Sequence, residues 1–154
     1  CACHPKYAFV PQSIVLYREN LQSLTFRPKK DLMQNWILLA SDFEQFLKEK
    51  SLSRKYGDLI FFHLLIGAMY LAKEEMTYKG KKIRVVAKVL KKYHANPFVK
   101  EKLTWKACVH YTALIQSLFW KALAFTLVFF LQVHAYSILA AVLVLMSRLG
   151  IDSL

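Results

Sequence analysis

Apolar residues recur at three- and four-residue intervals in the first part of the chain, which is the spacing of one helical face. The pattern is clearest over residues 29–50, where charged residues fall mainly on the other faces, and it predicts an amphipathic helix. A shorter run predicts another helix over residues 14–24. Residues 1–78 are therefore expected to form an amino-terminal helical region. The apolar face of the longer helix holds Leu32, Trp36, Leu39, Phe43, Phe46 and Leu47.

An apolar stretch from Leu59 to Ala72 predicts a helix of another kind. Its 14 residues would extend about 21 Å, short of the roughly 30 Å of a bilayer's hydrocarbon core. We therefore expect a buried or interfacial helix, after a loop marked by Ser51, Ser53 and Gly57. Gly and Pro number only four each, so turn signals are few. This scarcity favours an all-α fold of a few long helices over many short strands.

Residues 122–147 contain no Asp, Glu, Lys or Arg, and apolar side chains occupy every face of the predicted helix. Their 26 residues would extend about 39 Å, which is enough to cross a bilayer. Trp120 and Arg148 stand where interfacial anchors belong, and Gly150 marks a helix end. We therefore expect one long hydrophobic transmembrane helix within the region 107–154. The alternative is a central core helix of a soluble all-α assembly.

Three polar residues lie near the middle of this predicted span, namely Gln132, His134 and Tyr136. An unpaired polar group is costly in hydrocarbon, so each of them needs a partner on a neighbouring helix. We therefore expect intramembrane polar contacts at these positions and a chain that packs against neighbouring membrane-protein subunits.

Residues 79–106 form a basic segment with nine Lys and Arg84 against one acidic residue, Glu101. The segment carries most of the surplus charge of the chain, whose formal net charge is +12. It predicts a helix that ends before Pro97, with a basic face that binds anionic lipids or acidic partner subunits. Positive charge beside a span favours the side that is not translocated, here the cytosol or the mitochondrial matrix. The candidate contact residues are Lys81, Lys82, Arg84, Lys88, Lys91 and Lys92.

The basic segment is also compatible with nucleic acid, because lysines neutralise phosphates and aromatic rings stack on bases. The aromatic candidates for stacking are Tyr78, Tyr93 and Trp105. The sequence alone leaves lipid, acidic protein and nucleic acid open as partners of this face.

Four short segments of the chain form an ordered set, namely Val15-Leu16-Tyr17, Arg27 to Leu32, Glu44-Gln45-Phe46-Leu47-Lys48 and the apolar run ending Ser147-Arg148-Leu149. In this order they resemble the helical domain of the Nepro-type proteins of ribonuclease MRP. The resemblance implies an RNA-binding subunit of a ribonucleoprotein. The family's Asn- and Arg-rich motif is absent after Tyr17, where the chain reads Arg18-Glu19-Asn20-Leu21-Gln22, so the chain is not assigned to that family.

Residues that could carry chemistry are few. Cys1, Cys3 and His4 are soft metal ligands, and Cys108 with His110 could complete a zinc site, although finger spacing is missing. The chain holds no phosphate-binding loop, metalloprotease motif or nucleophile elbow. We therefore expect no enzyme activity, no metal and no cofactor. A chain that begins with Cys rather than Met is typical of a processed form or a partial sequence.

Together these patterns predict a non-catalytic, helical membrane subunit of a larger organellar complex with a structural or assembly role. The expected location is the mitochondrial inner membrane. The alternative function is that of a soluble RNA-binding subunit of an RNA-processing ribonucleoprotein. The uncharged segment favours the first function, and the basic segment fits both.

Overall fold

The computed structural model describes residues 31–113 and 115–150. All regular elements within these residues are α-helices, which confirms the predicted all-α fold. The helix predicted over residues 14–24 lies outside the described residues. The seven helices are α1 (Leu32–Glu49), α2 (Ser53–Lys79), α3 (Ile83–His94), α4 (Pro97–Lys102), α5 (Trp105–Thr112), α6 (Leu118–Gln132) and α7 (Tyr136–Arg148).

Helix α2 is the central element and contacts each of the other six helices in the described part of the chain. The apolar run from Leu59 to Ala72 lies within it and supplies much of the core, with Leu64 and Ala68 fully buried. The prediction of a buried helix is confirmed for this run. The helix begins earlier than expected, because Gly57 lies inside it rather than in a loop.

Helices α1 and α3 both meet α2 near Gly67. The indole N–H of Trp36 in α1 donates to the His63 carbonyl at 2.9 Å, and the two rings stack with centroids 4.6 Å apart. The hydroxyl of Tyr93 in α3 donates to the Leu64 carbonyl at 2.8 Å. A side chain at Gly67 would overlap the indole, so glycine permits the close approach of the three helices.

The end of α3 and the start of α4 follow from Asn96 and Pro97. The Asn96 side chain accepts hydrogen bonds from the backbone N–H groups of Phe98 and Val99, at 3.0 and 3.4 Å. Pro97 occupies the first position of α4, where its missing N–H costs nothing. The predicted end of the basic helix before Pro97 is confirmed.

The single helix predicted over residues 122–147 is wrong, because the structure has two helices, α6 and α7, of 15 and 13 residues in this region. The chain turns at His134, whose φ of +58° lies in the left-handed region. Its N–H donates to the Leu131 carbonyl at 3.1 Å, and the N–H of Ala135 donates to the Phe130 carbonyl at 2.9 Å. These two bonds form a Schellman motif, which ends α6 and reverses the chain without glycine or proline.

The predicted membrane-spanning helix therefore has no counterpart at this position. Among the helices formed by residues 31–113 and 115–150, none combines the length and the apolar character that crossing a bilayer requires. Gly150, with φ of +70°, follows the end of α7, as its place in the sequence predicted.

Helices α3 and α7 pack against each other in opposite directions. At one end, the Lys81 ammonium group donates to the Ser147 carbonyl at 3.1 Å. At the other end, His94 Nδ1 lies 3.0 Å from the Tyr136 hydroxyl oxygen. The Schellman turn and the first residues of α7 are thereby held beside the last turns of α3.

Candidate anion-binding groove

The basic character of α3 is confined to its exposed side. Val86, Leu90 and Tyr93 are fully buried against the core. All six cations singled out in the sequence are exposed. The spacing of charged and apolar residues on a helix of 12 residues accounts for both faces. The exposed cations are Lys81, Lys82, Arg84, Lys88, Lys91 and Lys92.

A groove of about 800 Å³ runs between this basic side of α3 and the start of α7. The groove brings together cations and polar residues that lie about 50 positions apart in the chain, and no Asp or Glu lines it. We call it the α3–α7 groove. Its lining residues are Lys79, Arg84, Val85, Ala87, Lys88, Lys91, His134, Ala135, Tyr136, Ser137 and Ile138.

Three of the six predicted cations lie elsewhere. Lys81 is tied to the carboxyl end of α7, where a cation interacts favourably with the helix dipole. Lys82 precedes the first turn of α3. Lys92 lies in a separate depression of about 470 Å³, which Lys88 and Tyr78 also line.

The groove contains positive charge that is only partly compensated. The Lys79 ammonium group lies 2.8 Å from a Glu75 carboxylate oxygen and forms an ion pair with it. Within residues 31–113 and 115–150, no ion pair involves Arg84, Lys88 or Lys91. Within the described residues, the positive charge of these three side chains is therefore not compensated by an ion pair.

The start of α7 adds to this positive field. Ala135 precedes the helix and has no side-chain oxygen that could accept hydrogen bonds from its first N–H groups, and the first turn contains no acidic residue. The N–H groups of Ile138 and Leu139 donate to the Ala135 carbonyl, at 3.1 Å each. The earlier N–H groups, at Tyr136 and Ser137, belong to residues that line the groove. A helix start of this kind attracts anions.

His94 supports the wall of the groove from the core side. Its ring is 2% exposed, and its only polar contact in the described chain is Nδ1 with the Tyr136 hydroxyl. Burial lowers the pKa of His94 below its usual range, and electrostatic interaction with the nearby His134 and Lys100 lowers it further. Neutral His94 therefore holds Tyr136 in place without adding charge to the core.

The three polar residues of the predicted span have different surroundings. The Gln132 side-chain amide donates to the Leu103 carbonyl at 2.6 Å and so links the end of α6 to the segment after α4. Tyr136 is half-buried against His94, and His134 is exposed at the turn. Two of the three therefore have partners within this chain. That these residues lie inside a membrane stays a prediction.

Exposed apolar side chains on α6, α7 and the turn between them were not singled out from the sequence. Val133 and Ile138 are 52% and 55% exposed on either side of the turn. Phe129, four residues before Val133, is also exposed, as is Leu145, which is seven residues after Ile138 and on the same side of α7. No signal in the sequence distinguished them, because every face of residues 122–147 is apolar.

The structure weakens the stacking hypothesis for nucleic acid. Tyr93 is fully buried and donates to a backbone carbonyl, so it cannot stack on a base. Trp105 is exposed but packs against two rings of α6, tilted against Phe125 and edge-on against Phe129. Tyr78, also exposed, is the remaining candidate, and it borders the depression that contains Lys92.

No group of three or more His, Cys, Asp or Glu side chains is arranged to bind a metal ion in the described residues. Cys108 is buried, and burial raises the pKa of its thiol to about 11, so it stays protonated. His110, the second candidate to complete a zinc site, is exposed. Cys1, Cys3 and His4 lie outside the described residues.

No protein-family model, curated protein or solved structure matches the chain.

Proposed function

We propose that this chain is a non-catalytic, helical accessory protein that binds the surface of an anionic membrane through the α3–α7 groove and its rim. The observation that supports the proposal is the juxtaposition of exposed apolar side chains with cations that form no ion pair within the described residues. Arg84, Lys88 and Lys91 line the groove together with Ile138, and Val133 lies next to the turn.

This combination suits a bilayer interface for two separate reasons. Basic side chains are attracted by anionic headgroups, and each contributes about 1 kcal/mol near the surface. Apolar side chains gain roughly 25 cal/mol for each Å² removed from water, and the exposed side chains at the turn could enter the boundary between headgroups and acyl chains. A site for nucleic acid would make no use of exposed Val133 and Ile138.

The proposal includes a place in a larger assembly. The exposed Leu118, Phe119 and Trp120 at the start of α6 offer an apolar surface to neighbouring subunits. The proposed location is an organelle membrane, with the mitochondrial inner membrane as the first to test. Basic surfaces on its matrix side meet anionic cardiolipin headgroups.

Cosedimentation of the protein with vesicles tests this proposal. We expect binding to vesicles that contain anionic lipid and little binding to vesicles of phosphatidylcholine alone. Replacing Lys88 and Lys91 with Glu removes about 2 kcal/mol of attraction and adds repulsion, so binding should weaken by at least about 30-fold. The loss should shrink at high salt, because ions screen these charges.

The matched control changes the same amount of charge at the other end of α2. Arg54 and Lys55 lie in the first turn of α2, roughly 36 Å along the helix from Lys79. Replacing both with Glu should leave vesicle binding nearly unchanged, and the helix dipole favours Glu there. Equal losses in both variants would mean that net charge alone drives binding. If a low concentration of RNA releases the protein from the vesicles, the result would favour the ribonucleoprotein alternative.

A further inference from the structure

We infer that the α3–α7 groove is a site for a ligand with two phosphate groups on one headgroup, and that it prefers such a ligand to singly phosphorylated lipids. This inference rests on the proposed membrane function and deepens it by naming the chemistry that is recognised. Its support is the arrangement of positive groups at two ends of one groove.

One positive end lies where α2 passes into α3. Lys79 is the last residue of α2, and Arg84 is in the first turn of α3. Both side chains line the groove, and Lys79 shares its charge with Glu75. Arg84 has no ion pair among the described residues, and its guanidinium group can bind a phosphate through two parallel hydrogen bonds.

The other positive end lies at the start of α7. The contact between His94 and Tyr136 holds the last turns of α3 beside this helix start. Lys91 and His134 line the groove there, together with Ser137, whose hydroxyl and N–H groups are possible donors. The uncapped start of α7 contributes its partial positive charge at the same end.

The two positive ends are spread along α3. Arg84 and Lys91 are seven residues apart in α3, which is about 10.5 Å along the helix axis. Lys88 lies between them on the same side. One phosphate could pair with all three side chains only if Arg84 and Lys91 both bent towards Lys88, away from Lys79 and from the start of α7. Two phosphates joined by a short polar linker could occupy both ends at once.

The groove has the size and chemistry for such a headgroup. Its volume of about 800 Å³ lies within the range of small-molecule sites, roughly 300–1,000 Å³. Val85, Ala87 and Ile138 provide apolar wall between the charged ends. Since no carboxylate lines the groove, an entering anion meets no like charge there.

Charge-matched vesicles test the inference. One set contains cardiolipin, which has two phosphates on one headgroup, and the other contains twice the molar fraction of phosphatidylglycerol, which has one. Because linkage makes the second phosphate contact intramolecular, we expect at least about tenfold tighter binding to cardiolipin at equal surface charge. Equal binding would overturn the inference and leave the proposed function intact, whereas binding to neither set would contradict the proposed function itself.

Single substitutions locate the effect. Arg84→Ala and Lys91→Ala should each abolish the preference for cardiolipin, while binding to phosphatidylglycerol falls by only about fivefold. Lys82→Ala is the matched control, because it removes one exposed cation that immediately precedes α3 and does not line the groove. It should weaken binding to both vesicle types equally and keep the preference. Loss of the preference in Lys82→Ala, or its retention in the other two, would overturn the assignment.

His134→Gly separates binding from folding. Glycine adopts the left-handed conformation of this turn more readily than histidine, so the variant should melt no lower than the unaltered protein. Its preference for cardiolipin should nevertheless fall, because the His134 ring is lost from the groove. An unchanged preference would contradict the role assigned to this end of the groove.

The free headgroup distinguishes the two sources of such a ligand. Calorimetry with deacylated cardiolipin, which keeps both phosphates but lacks acyl chains, measures binding without a bilayer. Binding of the free headgroup that is lost in Arg84→Ala supports the same groove and identifies a soluble bisphosphate as sufficient. Headgroup binding that survives in Arg84→Ala would overturn the site.

Discussion

Replacing Gly67 with Ala should destabilise the protein, although alanine is the better helix former. The added methyl group would overlap the Trp36 indole and lie 2.9 Å from the Tyr93 hydroxyl oxygen. The indole cannot easily move away, because it stacks on His63 and on Tyr70, with ring centroids 4.6 and 5.3 Å apart. One substitution therefore perturbs the contacts of both α1 and α3 with α2.

The magnitude follows from opposing contributions. Helix propensity favours Ala over Gly by about 0.8–1.0 kcal/mol in a helix interior. Overpacking costs typically about 1–3 kcal/mol. The hydrogen bonds of Trp36 to His63 and of Tyr93 to Leu64 contribute about 0.5–1.5 kcal/mol each, and displacement of the rings weakens both. We expect a net loss of about 2 kcal/mol in the free energy of unfolding.

Urea unfolding followed by circular dichroism measures this loss. With a slope of about 2 kcal/mol per molar urea, the midpoint should fall by about 1 M. Gly57→Ala in the same helix is the matched control, since its methyl group would meet only the Tyr111 hydroxyl, at 3.3 Å. That variant should be neutral or slightly stabilised. If Gly67→Ala is as stable as the unaltered protein, the packing at this junction is refuted. In a protein that already carries Trp36→Leu, Gly67→Ala should cost less stability, because the indole that it overlaps is gone.

Two further predictions concern polar groups. Gln132→Leu removes the hydrogen bond to the Leu103 carbonyl and should lower the free energy of unfolding by about 1–2 kcal/mol in urea titration; no change would mean that this bond is not formed in solution. Burial lowers the pKa of His94 in the folded protein below its unfolded value of 6.5. The contribution of neutral His94 to the free energy of unfolding is therefore present above pH 6.5, and it is lost as the pH falls through the lower pKa of the folded state. The melting temperature should therefore fall from pH 7.5 to pH 5.5, and His94→Asn should reduce that fall; an identical pH dependence would contradict this account.

The sequence predicted the helices whose faces differ in polarity. In α3, buried Val86 and Leu90 alternate with exposed Arg84 and Lys88 at helical spacing, so the pattern alone separates the core side from the basic side. The apolar run in α2 was short enough to predict a buried or interfacial helix, and the structure shows it buried. Asn96 and its following proline marked a boundary through their backbone chemistry.

The break between α6 and α7 was not predictable in the same way. A Schellman turn commonly carries glycine at its left-handed position, and this chain has His134 there, flanked by apolar residues. Without glycine, proline or charge, residues 122–147 have the pattern of one continuous helix. The groove was missed for the same reason, since only the turn brings the start of α7 beside Lys91. The sequence identified Arg84, Lys88 and His134 as separate candidates but could not show that they line one groove.

Hydrogen exchange with and without anionic vesicles tests the central claim, that the α3–α7 groove and its rim bind the membrane. The comparison uses peptides that cover residues 83–94 and 133–139, with peptides from the start of α2 as the internal reference. Vesicle binding should slow exchange in the first two regions, including the Tyr136 and Ser137 amides, and leave residues 53–58 unchanged. Vesicle-bound protein whose exchange is unaltered in residues 83–94 and 133–139, or slowed only elsewhere, would contradict the account.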